Sequence, residues 1–294
     1  MTSLVEGLPA PAASKVEPAP VRRRAVNPSL LVGAVLVGIV VVTALVSFLW
    51  TPYDPTRVDA TARLLGPDAA HWFGTDKFGR DVVSQLMFGA RTTLFVGIVA
   101  VSVAALAGTP LGILAAMAPR WLAELIMRAN DLLLAFPALL LAIMFGAVYG
   151  ASTLTAMVAI GIATVPSFAR LARGGALQVL STEYVLAARA AGRRSPAIAL
   201  RHVLPNIASL VIVQASVSFA IAVLAEAALS FLGFGTRPPT PSWGRMLQEG
   251  QELLPIAPRL VVYPGVAIAL AVLGFNLLGD GLRDRFDPRL DHRR

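Results

Sequence analysis

Apolar residues along this chain fall into long unbroken blocks rather than short alternating stretches. Apolar runs with at most one charged residue each occupy about residues 30–50, 92–118, 132–148, 152–170, 207–231 and 260–280. Each is near the ~20 residues that a helix needs to cross the ~30 Å hydrocarbon core of a bilayer. The pattern predicts an all-α polytopic membrane protein with six transmembrane helices. Between Leu132 and Ala169 no charged residue occurs over 38 positions, too many for one crossing. Tyr149-Gly150-Ala151-Ser152 divides that stretch into the third and fourth spans with a very short turn between them.

The segments between the blocks carry their own signals. Residues 1–27, rich in Pro and Ala and ending in Arg22-Arg23-Arg24, read as a disordered cytoplasmic tail. The run that follows exceeds the ~7–15 residues of a signal-peptide core, so it reads as a retained span. Asp81 is placed to cap a short helix with Val82, Val83, Leu86, Met87 and Ala90 on one side, an amphipathic piece expected along the membrane surface. Asp76 and Asp81 have two readings, metal ligands or turn and cap residues, and the second is favoured. Gly108 and Gly112 form a small-xxx-small pair in the second span, with Pro110 between them. Residues 236–259 are too polar to cross and read as a loop, and residues 283–294 as a second cytoplasmic tail.

The most informative polar stretch is 181–206, STEYVLAARAAGRRSPAIALRHVLPN. Ser181 is placed as a helix cap with Glu183 in the first turn, and Gly192 stands where helices prefer glycine just past their end. Ser195-Pro196 offers a second start, and Leu204-Pro205 is expected to end the unit and open the fifth span. Ala187, Ala188, Ala190 and Ala191 leave little side-chain bulk, which suits a docking surface better than a free loop.

These residues resemble the cytoplasmic coupling motif of ABC-importer permeases: Glu-Ala-Ala, three residues, Gly, nine residues, Ile, one residue, Leu-Pro. Ala187, Ala188, Gly192, Leu204 and Pro205 match, while Leu186 replaces the Glu and His202 the Ile. Other stretches are similar to the dipeptide, oligopeptide and nickel branch. They include Gly74-Thr75-Asp76, Gly79-Arg80-Asp81, Gly89-Ala90-Arg91, Pro238 to Gly244 and Asn276 to Asp284, in the expected order. The resemblance implies that Glu183, Tyr184, Ala187, Ala188, Ala191, Gly192, Arg193, Leu204 and Pro205 couple the chain to an ATPase. It also implies a homologous second permease subunit, ABC ATPase subunits that bind ATP and Mg, and an extracytoplasmic substrate-binding protein, all at a bacterial inner membrane.

Composition agrees with a lipid-embedded chain: 294 residues, 56% hydrophobic, 14% charged, mean hydropathy +0.71. The net charge of +8 comes without a basic stripe interleaved with aromatics, so nucleic acid is not an expected partner. Placing both termini inside assigns 17 of the 25 basic residues to the cytoplasm, the asymmetry that the positive-inside rule requires. No cysteine is present, which removes disulfides and thiolate chemistry.

No phosphate loop follows either lysine, Lys15 or Lys77, and His71, His202 and His292 stand in no nucleophile-and-base constellation. The chain therefore reads as a transporter subunit with no catalytic or metal site and no cofactor of its own. Short peptides are the expected cargo, with nickel or another small solute as the alternative. A gradient-driven secondary transporter is the alternative of another class, and paired repeats with several buried charges would mark it. Gln214, Ser218 and Glu226 share one face of the fifth span. Glu226 reads either as a residue of the translocation path or as a structural hydrogen-bonding group near the outer surface.

Overall fold

The computed structural model describes residues 28–150 and 152–286, so the tail 1–27, Ala151 and residues 287–294 lie outside it. Among the described residues the chain is helical, with one isolated bridge between Thr75 and Asp81 and no strand. The spans are α1 (Pro28–Leu49), α2 (Val82–Met117), the pair α3 (Arg120–Ala135) and α4 (Ala138–Tyr149), α5 (Thr153–Leu180), α8 (Leu204–Phe231) and α10 (Arg259–Phe286). The coupling segment holds α6 (Glu183–Ala190) and α7 (Ser195–Ile198), and α9 (Trp243–Gln251) lies in the loop after α8. Five helices are long and apolar enough to cross a membrane, and the α3–α4 pair makes a sixth span if taken as one.

Two expectations are corrected. The amphipathic piece after Asp81 is not a separate surface helix: it is the first part of α2, a single helix of 36 residues. Nothing from Val82 to Met87 breaks a helix, and Gly89-Ala90-Arg91 does not interrupt it. Asp81 does cap it, accepting from Ser84 N at 2.8 Å. The third span is also not a continuous helix over 132–148. It breaks at Phe136-Pro137, where α3 and α4 meet at 86°. A residue preceding proline is pushed out of the helical region, and Phe136 is extended at φ −83°, ψ 126°. α4 has 12 residues, about 18 Å, and does not cross a bilayer alone.

The central packing is α2 on α5, and small residues set its closeness. A Cβ added at Gly112 would sit 2.3 Å from the carbonyl oxygen of Ala169, and one at Gly108 would sit 2.5 Å from that of Val165. Both distances are below any tolerable contact, so the small-xxx-small pair brings the two backbones together. α1 packs along α10, and its residues Leu31, Val35, Ile39, Val42 and Phe48 are exposed.

The non-helical residues after α1 are folded. Asp59 caps a single 3-10 turn, Ala60–Ala62, and Asp76 accepts from the backbone N–H groups of Phe78 and Arg80 at 2.8 and 2.9 Å. Arg80 Nε donates to Asp76 Oδ2 at 2.7 Å, and its other end pairs with Glu249 on α9. Arg245 Nε lies 2.9 Å from Glu249 Oε1, an ion pair without hydrogen-bond geometry. Gln85 Nε2 closes the group on Asp76 at 3.0 Å. Asp76 and Asp81 are thus engaged in turn, cap and ion-pair contacts, the latter also meeting His71 Nδ1 at 3.0 Å. The 236–259 stretch is likewise more than a loop, because Ser242 caps α9.

Candidate coupling surface and polar face of the fifth span

The coupling segment folds as a helix pair, with caps shifted by one residue from those expected. Ser181 ends α5 instead of opening α6, and Thr182 takes the N-cap position without a side-chain cap bond. Thr182 Oγ1 instead donates back to Val179 O at 2.6 Å, competing with the capping role. Glu183 and Arg189 stand in the first and last turns of α6, each favourably placed on the helix dipole.

The α6 terminus is built on Gly192, at φ +78°. Gly192 N donates to Arg189 O at 2.9 Å and Arg193 N to Ala188 O at 3.1 Å. Those two bonds satisfy carbonyls that a helix end otherwise leaves unpaired, and they require a left-handed residue at this corner. Arg194, rather than Ser195, then takes the N-cap place of α7, with Pro196 in its first turn.

Leu204-Pro205 does not end the unit, as the sequence suggested. Helix continues from Ser195 to Phe231, 37 residues, through a π-helical stretch at Ala199–Val203. Proline has no N–H to give, and its ring crowds the carbonyl four residues back. One wider turn before Pro205 absorbs both problems without breaking the helix.

One face of this pair is anchored and the other is open. Val185, Ile198 and Val203 are fully buried against Ile113, Ala172, Ala176, Leu180 and Ile207 of α2, α5 and α8. Glu183, Tyr184, Ala187, Ala191, Gly192, Arg193, Leu204 and Pro205 are all exposed, and Ala188 is half-buried. Leu186, at the position where relatives of the motif carry Glu, is 51% exposed. His202 packs its ring 5.9 Å from that of Tyr184, tying α6 to the π stretch. The resulting surface is apolar at Tyr184, Leu186 and Leu200 and carries exposed Arg189, Arg193, Arg194 and Arg201 around it.

On α8, Gln214 Nε2 donates to Ser218 Oγ at 3.2 Å; Gln214 is half-buried and Ser218 buried. Glu226 lies two turns further and is not paired with them. Its carboxylate is buried, accepting from Ser230 Oγ at 2.6 Å and Thr236 Oγ1 at 3.2 Å, with the Ser242 hydroxyl beside it. Thr236 N also donates to Ser230 Oγ at 3.0 Å. The carboxylate therefore joins the end of α8 to the following loop and to the cap of α9. Sequence reasoning placed Glu226 on the Gln214 face but missed its hydroxyl partners. Ser230 at i+4 was the one local signal for them.

Comparison with known proteins bears on both regions. Residues 108–292 match the family described as binding-protein-dependent transport system inner membrane component. The dipeptide transport system permease protein DppC of Alkalihalophilus pseudofirmus is 42% identical over 264 residues, 90% of this chain and 87% of that protein. The glutathione transport system permease protein GsiD of Pectobacterium atrosepticum is 42% identical over 262 residues, covering 87% of each. The Escherichia coli GsiD is 41% identical over 261 residues, 88% of this chain and 86% of that protein. Matches of that extent run through the spans and the coupling surface alike, and they make this multi-pass chain a member of the binding-protein-dependent inner-membrane permeases, the membrane subunits of ABC importers.

Proposed function

We propose that the chain forms half of the translocation pore of an ATP-driven importer of short peptides. The observation that carries this reading is the open face of α6 and α7. Its inner residues are fully buried, while Ala187, Ala191 and Gly192 are exposed and leave little side-chain bulk at those positions. A homologous permease subunit would complete the pore, ATPase subunits would bind ATP and Mg beneath it, and a binding protein would deliver substrate from outside. Both termini and the coupling surface would then face the cytoplasm.

The geometry supplies a route for force. α7, the π stretch and α8 form one helix of 37 residues, about 55 Å long, from Ser195 to Phe231. Displacement of its coupling end by a closing ATPase would move its outer end as well, by rigid-body rocking of packed helices. There Glu226 ties α8 through Ser230, Thr236 and Ser242 to the loop and α9. The burial of that carboxylate favours the anchoring role for Glu226. Gln214 and Ser218 are the polar groups that α8 offers to the translocation path.

Substrate class is supported by relatives named for dipeptide and for glutathione, itself a γ-linked tripeptide. Uptake of labelled dipeptides, longer peptides, glutathione and nickel by cells with and without the chain tests the reading. Peptide uptake that depends on the chain is the expected result. Nickel uptake without peptide uptake would overturn the substrate class, and uptake driven by an ion gradient without ATP would overturn the importer itself.

A further inference from the structure

Arg91 is a cation at the edge of a long charge-free run in α2, with no counter-ion among the described residues. It stands in α2 where the charge-free stretch begins, since the next charged residue along the chain is Arg120. Its Nε donates to Ser47 Oγ at 2.6 Å, and Ser47 belongs to the last turn of α1, which ends at Leu49. The end of the α1 apolar run and the start of the α2 run thus meet at Arg91. Both helices place this guanidinium at the boundary between hydrocarbon and headgroups.

Its surroundings orient it and leave one side free. The guanidinium carbon lies 4.1 Å from the centre of the Phe48 ring and 4.8 Å from that of Phe88. Aromatic faces attract a cation and replace part of the water it gives up. Arg91 itself is half-buried, Phe48 is 67% exposed and Trp50 is 53% exposed. Among the described residues, no carboxylate lies within ion-pair distance of Arg91, and its two terminal amino groups have no hydrogen-bond acceptor. A guanidinium keeps its charge, so an anion has to come from outside the chain.

The geometry points to a binding site for the phosphate of an anionic phospholipid, held by the free amino groups of Arg91 between α1 and α2. Phosphate oxygens match the planar fork of a guanidinium. The end of α1 and the start of the charge-free run of α2 put Arg91 at the depth of the phospholipid phosphate, and exposed aromatics such as Trp50 and Phe48 suit that layer. An anionic headgroup is preferred over a zwitterionic one because it brings no ammonium of its own to repel the arginine. Bound there, the lipid braces α1 to α2. α1 gains from such a brace, because 17% of its most apolar window is buried, the lowest share among the five spans made of one helix.

Native mass spectrometry of the full-length chain, purified with whatever subunits accompany it, tests the site. The protein is titrated with phosphatidylglycerol, phosphatidylcholine and inorganic phosphate in separate arms. Wild type is expected to hold one tight phosphatidylglycerol that Arg91→Gln loses, with affinity falling about fivefold or more, in line with one interfacial arginine. Arg91→Lys keeps the charge without the fork and is expected to fall between the two. Phe48→Leu, on the exposed ring, is expected to weaken the same adduct in a chain that still folds, so the test survives if Arg91→Gln does not assemble. Equal phosphatidylglycerol binding in wild type, Arg91→Lys and Phe48→Leu would overturn the site. Equal binding of phosphatidylcholine would overturn the anionic preference. Displacement of the lipid by millimolar inorganic phosphate would reassign the site to the free ion.

Discussion

Arg80 and Glu249 are 169 residues apart in the sequence and form an ion pair whose side chains are 8% and 14% exposed. Arg80 comes from the folded stretch after α1, and Glu249 from α9 after α8. The pair joins two segments that would otherwise be separate loops at one end of the bundle. Arg259 adds a second tie, donating from Nη2 to Leu65 O at 2.9 Å. This end of the protein is therefore a single plate that spans the tops of α2, α8 and α10.

Glu249→Leu is expected to weaken that plate. Removing one partner of a buried ion pair costs about 3–5 kcal/mol; Arg80 keeps Asp76, while Arg245 loses its carboxylate. The measurement is thermal unfolding of the purified protein for Arg80→Met, Glu249→Leu and the double variant. The double variant is expected to be clearly less destabilised than the sum of the single ones. Strict additivity would mean that the two side chains do not interact.

Gly112→Leu tests the closeness of α2 and α5. With a Cβ at 2.3 Å from Ala169 O, the backbones must separate, and overpacking of this kind costs about 1–3 kcal/mol. A lower yield of folded protein and a lower unfolding temperature are expected. Gly38→Leu on α1, which has nothing within 4 Å of its added Cβ, is the control and is expected to change little.

Topology is testable because the native chain lacks cysteine. Ser195→Cys lies on an exposed residue of the coupling surface. It is expected to resist an impermeant thiol reagent in intact cells and to react once the cells are opened. Labelling in intact cells would turn the proposed orientation around.

Much of this architecture was legible in the sequence, and the reason is physical. Lipid imposes one solution on a long apolar run, so five of the apolar blocks could be read as helices, while the third proved to be a bent pair. Local rules also worked where one residue type was decisive, as with Asp81 at the head of α2 and Gly192 at φ +78°. Proline was ambiguous. Pro137 breaks a helix, Pro110 and Pro166 lie inside one, and Pro205 is absorbed by a π turn. The difference depends on whether neighbouring helices support the backbone, which a linear pattern does not record. The contacts of Glu226 and Arg80 were invisible for a similar reason, since each joins residues that only the fold brings together.

The coupling surface allows the sharpest test. Ala187 is exposed and Ala188 half-buried against the chain's own core, so bulk at Ala187 tests an external partner with less internal disturbance. If an ATPase closes over this face, Ala187→Trp is expected to block docking at an overpacking cost of about 1–3 kcal/mol. Gly192 tests the corner in another way. Nothing lies within 4 Å of a Cβ built there, so any penalty comes from its backbone at φ +78° alone. A left-handed conformation costs an ordinary L-residue about 1–2 kcal/mol, and a β-branched one more, whereas Asn tolerates it. Gly192→Val is therefore expected to disturb the corner and Gly192→Asn to preserve it. Arg193→Gln, on an exposed side chain, is expected to do less than either Ala187→Trp or Gly192→Val. All four variants should reach the membrane at similar levels, because the residues that anchor α6 and α7 are Val185, Ile198 and Val203. The readouts are copurification of an ATPase and stimulation of its activity by the loaded binding protein in reconstituted complexes. Loss of both in Ala187→Trp and Gly192→Val, with recovery in Gly192→Asn, is the expected pattern. Normal stimulation in Ala187→Trp would show that no partner closes over this face, and the coupling role would have to be given up.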